Sequence, residues 1–130
     1  MLRLVIDTVP ALISATDGNS NFEFVNRKLA ETLRVEPDDA VGKSVGDLMR
    51  QEFGRRSQEV DKQVFESGQT IAAIEEDFED VSGDTRTLLT TKSPLRDQDS
   101  GARNVVTVSL DITERKEAER QLHKLSSEVA

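Results

Sequence analysis

The sequence predicts an α+β domain in which two groups of strands flank a run of helices. Apolar and polar residues alternate with period two near the start and again after Gly68, whereas positions 27–67 repeat at helical spacing. Two strands, several small helices, one longer helix, three strands and an exiting helix come in runs, the pattern of an α+β domain. Leu, Ile, Val and Phe make up 35 of the 130 residues, above the roughly one fifth below which charged chains stay disordered, and the length suits a single core.

The elements follow in order. Positions 2–8 place Leu2, Val5 and Ile6 at helical spacing, and Pro10 stops that helix. Residues 11–17 are short and apolar, Asp17-Gly18-Asn19-Ser20 is a turn, and 21–25 sets Phe22 and Phe24 about Glu23, so a β-hairpin is expected. Asn26 stands where a cap is wanted, before a helix over 27–34 with Leu29, Ala30 and Leu33 on one face. Single-turn helices are predicted over 36–44, with Pro37 near its start, and over 44–49. The longest internal helix spans 50–67 on Phe53, Val60, Val64 and Phe65, and Gly68 can end it in a left-handed conformation. Strands over 70–78, 85–95 and 105–112 form a meander, with a polar loop over 96–102. Thr113 can cap a charged helix over 114–129, where Ala118, Leu122, Leu125 and Val129 are spaced as a seam of about two heptads.

Composition excludes several chemistries. Without cysteine there is no disulfide, thiolate nucleophile or cysteine-ligated metal, and the single histidine, His123, rules out a His/His metal site. No catalytic or metal-binding residues are assigned, and the Glu75-Glu76-Asp77 run reads as protection of an edge strand. A net charge of -8 disfavours nucleic acid and anionic membrane as partners. No apolar run approaches the ~20 residues needed to span a bilayer. The start lacks signal-peptide order, so a cytoplasmic location is expected.

Several strings resemble the PAS sensory family: Asp7-Thr8-Val9-Pro10-Ala11-Leu12-Ile13 before the first strand, Phe24-Val25-Asn26 ending the second, and Val41-Gly42-Lys43-Ser44 in the small helices. Ser93-Pro94-Leu95-Arg96-Asp97 at a strand exit and Asp111-Ile112-Thr113-Glu114-Arg115-Lys116, similar to the family's DIT signature, complete the set. The resemblance implies a five-stranded antiparallel sheet of order 2-1-5-4-3 with helices on one face. It divides the chain into an N-terminal flanking helix (1–10), a PAS core (11–112) and a C-terminal signalling helix (113–130). Such modules bind a ligand or a partner and relay a conformational change to an attached output domain, often a histidine kinase or nucleotide cyclase, and are usually not enzymes. The cofactor is unknown. Haem through histidine is disfavoured because 50–67 has none, and a cysteinyl-flavin adduct because the chain lacks cysteine.

Pocket candidates are Ser14, Thr16, Phe24, Val64, Thr90, Lys92 and Thr107. Alternation does not decide whether Leu88, Thr90 and Lys92 or Leu89, Thr91 and Ser93 face the core; PAS relatives favour the first set. Lys92 is then either a snorkelling edge residue or a pocket lysine that needs a carboxylate partner or an anionic ligand. Asp111 and Thr113 can both cap the exit helix and couple it to the core, with Arg115 or another base as ion-pair partner. The Ala118, Leu122, Leu125, Val129 seam implies a weak homodimer. Two further readings are a ligand-free interaction and dimerisation module, and a small α+β enzyme, which the scarcity of catalytic residue types opposes.

Overall fold

Hydrogen-bonded pairing from Leu12 to Asp111 builds one antiparallel sheet of order β2-β1-β5-β4-β3 in the computed structural model, which describes residues 10–49, 51–97, 99 and 101–129. Its strands are β1 (Leu12–Thr16), β2 (Phe22–Val25), β3 (Ile71–Glu79), β4 (Thr85–Asp97) and β5 (Gly101–Asp111). Between β2 and β3 lie α1 (Arg27–Leu33), α2 (Pro37–Ala40), α3 (Val45–Leu48) and α4 (Gln51–Ser67); α5 (Thr113–Val129) follows β5. The flanking helix expected over 1–10 lies, apart from Pro10, outside the described residues.

Local chemistry sets the boundaries. The Asn26 side chain accepts from the Leu29 amide at 3.0 Å and starts α1. Ser44 and Asp47 close a capping box at α3. Gly68 adopts φ +68° and ends α4, a conformation that would strain a residue with a Cβ.

Two features differ from expectation. A bulge on the β1–β2 ladder places both Ala15↔Phe24 and Thr16↔Phe22 in register. The extra residue inverts the alternation, so Phe22 is buried whereas Phe24 turns to the outer face. The polar loop expected over 96–102 is shorter, because β4 and β5 stay paired through Leu95↔Asn104, Arg96↔Ala102 and Asp97↔Gly101. An outlying ribbon is held by backbone hydrogen bonds, so loss of apolar residues does not mark its end.

The core lies between the helices and one sheet face. Phe22, Val25, Leu29, Ala30, Leu33, Ala40 and Val45 form one cluster. Phe53, Phe78 and Leu88 form a second, and Leu12 and Met49 pack against both.

Candidate functional site

Helix α4 turns Phe53, Ser57, Asp61 and Val64 toward the sheet at spacings of 4, 4 and 3, and all four are buried. A polar pair thus sits in the middle of the helix's inner stripe. Facing it, Leu88, Thr90 and Lys92 of β4 point inward and are also buried, and Lys92 is in register with Thr107 of β5.

The Lys92 ammonium meets Asp61 Oδ1 at 2.7 Å, Thr107 Oγ1 at 3.1 Å and Ser57 Oγ at 3.2 Å. Three donors therefore find three acceptors, the full capacity of an ammonium. Asp61 also accepts from Ser20 Oγ at 3.3 Å. The side chains of Lys92 and Asp61 are 5% and 2% exposed, so each charge has lost nearly all its water. Burial at this depth is tolerable only because each ion supplies the other's compensation.

The pair forms part of the wall of a cavity of about 40 Å³, room for roughly three water molecules. Phe53 and Phe78 close another part, with ring centroids 5.1 Å apart at 69°. Among the candidates read from sequence, Ser14, Thr16, Lys92 and Thr107 line this cavity. Thr90 is buried against the Ser109 hydroxyl at 2.8 Å, and Val64 is fully buried, but neither belongs to the lining. Phe24 does not reach it, because the bulge sends that ring to an outer groove beside Ala15 and Val106. Ser57, Asp61 and Glu76 of the lining were missed. The signal was the 53-57-61-64 spacing, which a search for apolar residues alone passes over.

A second cluster joins β5 to α5. Asp111 Oδ1 accepts from the Thr113 amide at 3.0 Å and the Thr113 hydroxyl at 2.5 Å. Asp111 Oδ2 receives Arg86 Nε and Nη2, each at 2.8 Å, so both guanidinium nitrogens share one carboxylate oxygen while Thr113 occupies the other. The Thr113 hydroxyl in turn accepts from the Thr87 amide at 2.8 Å, and the Ile112 amide donates to the Thr87 carbonyl at 2.9 Å. Asp111 is therefore the residue that takes the helix's first amide. Thr113, expected as the cap, turns its oxygen to Thr87, which lies just beyond the Leu88↔Asp111 pair and needs an acceptor. The ion-pair partner is Arg86, not Arg115. Arg115 lies two residues into α5 and reaches Glu119 at 3.7 Å, whereas Arg86 sits two residues from the Asp111 partner on β4.

Burial pushes the Asp111 carboxyl upward, but the Thr113 hydroxyl and amide and the Arg86 guanidinium outweigh it and hold the carboxyl below its ordinary value of 3.8. The hydrogen bond to Asp111 raises Arg86 correspondingly. A depressed folded value means the carboxylate supports the folded state above the unfolded value, and that support is lost as pH falls through the folded one. The Thr113 amide resonance should therefore titrate with a midpoint below 3.8; a midpoint at or above it would contradict the geometry. In Asp111→Ala, a lost cap costs about 1 kcal/mol against roughly 5–15 for a whole domain. Hydrogen exchange should accelerate at residues 113–116 while 105–110 stay protected. Global loss of protection would instead make Asp111 a determinant of the fold.

Along α5, Ala118, Leu122 and Leu125 are exposed, Leu122 at 68%, and Val129 ends the helix. No helix among the described residues is long and apolar enough to cross a membrane. No cluster of metal-ligating side chains occurs among them either.

The fold has solved counterparts. VqmA from Vibrio cholerae superposes with a TM-score of 0.77 at 19% identity, over 88% of this chain and 52% of that one, so the chain spans about half the VqmA length. The PAS domain of Bordetella pertussis BvgS superposes at 0.72 with 25% identity, covering 98% of this chain and 95% of the other. A domain of an HTR-like protein from Haloarcula marismortui gives 0.65 at 23%, over 81% and 100%. No curated protein matches in sequence. The PAS fold family matches residues 6–117, and with the observed strand order this establishes that the chain belongs to the PAS family of sensory and regulatory domains.

Proposed function

We propose that this PAS domain is the sensory module of a multidomain signal-transduction protein. It takes a small ligand or a partner at the Lys92 cavity and relays the change through α5 to an attached output domain, such as a histidine kinase or nucleotide cyclase. The observation that carries this reading is one face of β5: Thr107 bonds Lys92, Ser109 bonds Thr90, and Asp111 holds the start of α5. Residues spaced by two on a strand share a face, so a shift of β5 caused by a cavity occupant reaches the exit helix within two residues. A bound occupant is in keeping with the VqmA structure bound to DPO. The module itself is read as non-catalytic and cytoplasmic, and its net charge of -8 argues against its own binding to nucleic acid or anionic membrane. Native mass spectrometry tests the ligand reading: the purified chain should retain a small molecule that is released on unfolding. Bare mass, with no cavity amide shifted by added fragments, would overturn it.

A second reading, a ligand-free interaction and dimerisation module, draws support from the cavity's small volume and the satisfied ammonium. In either reading Ala118, Leu122, Leu125 and Val129 form the dimer seam. Two heptads bury little area, so the dimer is weak. In sedimentation across a concentration series, Leu122→Glu should raise the monomer fraction; matching fractions in the two proteins would remove the seam.

A further inference from the structure

We infer that the cavity selects a small ligand carrying a cationic amine, and that Glu76 is the residue that selects it. This rests on the cavity being a ligand site. Three of its lining residues are charged: Lys92, Asp61 and Glu76. The first two cancel in contact at 2.7 Å, and the ammonium has no donor left once Asp61, Ser57 and Thr107 are counted. An anionic ligand would have to strip Lys92 from Asp61 and leave a buried carboxylate without its partner. The anion that an inward lysine calls for on sequence grounds is thus displaced by the protein's own Asp61.

Glu76 is in the opposite condition. It lies on β3 in register with Leu88 and is partly buried. Its carboxylate, which has no donor capacity of its own, makes no hydrogen bond or ion pair with any described residue. Among the described residues the lining therefore carries one carboxylate that no protein group pairs, and the complement it lacks within the cavity is a positively charged donor. Phe78, two residues along the same face, and Phe53 present ring surfaces that also attract cations. Phe53 already holds the Arg56 guanidinium 5.9 Å from its centroid. A cavity of about 40 Å³ admits only a few heavy atoms without expansion, so the recognised end is a primary amine or a comparably slim cationic group.

Propylamine, 1-propanol and acetate are matched in size and differ in charge. Each is titrated into the ¹⁵N-labelled full chain and into Glu76→Gln at constant ionic strength, following the amides of Ser57, Asp61, Lys92 and Thr107. Wild type should bind propylamine about tenfold more tightly than 1-propanol, the order of a charge-assisted hydrogen bond. Glu76→Gln should abolish that preference and leave 1-propanol within twofold. Glu75→Gln removes the same charge from the neighbouring outward position, where the carboxylate meets Lys116 of α5 at 3.3 Å and not the cavity, and should keep the preference, which separates contact from the general field of an acidic protein. Equal propylamine affinity in wild type and Glu76→Gln, or a preference for acetate or 1-propanol in wild type, would overturn the inference while leaving the cavity a ligand site. No response at those amides to any probe would overturn both.

Discussion

Lys92→Met should lower the unfolding free energy by about 3–5 kcal/mol, the cost of leaving a buried charge without its partner. That loss approaches the whole stability of a modest domain, roughly 5–15 kcal/mol. The physical cause is Asp61, 2% exposed at its side chain, which among the described residues keeps only the Ser20 hydroxyl once the ammonium is gone. The double variant Asp61→Leu/Lys92→Met tests the cause, because replacing both ions by apolar groups of similar volume is often neutral or stabilising. Denaturant titration of the four proteins of this cycle should show the double variant recovering most of the single variant's loss. A double variant as unstable as the sum of its singles would mean that Lys92 acts through Ser57 and Thr107 and not through Asp61.

Asn26→Ala should cost at least about 3 kcal/mol, several times an ordinary helix cap. This fully buried side chain serves two elements together. Its Oδ1 accepts from Leu29 N at 3.0 Å and Ile13 N at 3.1 Å, and its Nδ2 donates to the Ala11 carbonyl at 2.7 Å. Truncation removes the α1 cap, at about 1 kcal/mol, and strands a donor and an acceptor at the start of β1, at about 1–3 each if water does not replace the amide. Equilibrium unfolding should show the lower midpoint with an unchanged slope. A loss under about 1 kcal/mol would show that water replaces the amide. Because Ser14 and Thr16 of β1 line the cavity, this residue also fixes the wall of the candidate site.

Features whose cause lies within a few residues were legible. Asn26 before Leu29, Gly68 after α4 and Asp111 two residues before Thr113 are local arrangements of backbone and short polar side chains, and each stands in the structure as a cap or stop. The five-stranded order was legible through resemblance, because short strings in a fixed sequence identify a fold even where none is decisive alone. The centre of the site was not. Lys92 in sequence is a lysine among threonines, and its carboxylate lies 31 positions away on a helix whose inner stripe includes polar residues. Hydropathy marks such a helix as sparse when it is in fact continuous.

The amino-acid sequence by itself determined which of the described elements form, roughly where they end, and that the domain joins a helical cover to an antiparallel sheet, since propensity, caps and periodicity act over one or two turns of chain. Tertiary structure alone decided that Phe24 faces outward, that Arg86 and not Arg115 holds Asp111, that Asp61 neutralises Lys92, and that Glu76 joins the cavity lining. Each of these depends on a bulge, a strand register or a helix packed across a sheet. Such contacts join residues remote in sequence, and in this domain the charge balance of the site is set by them.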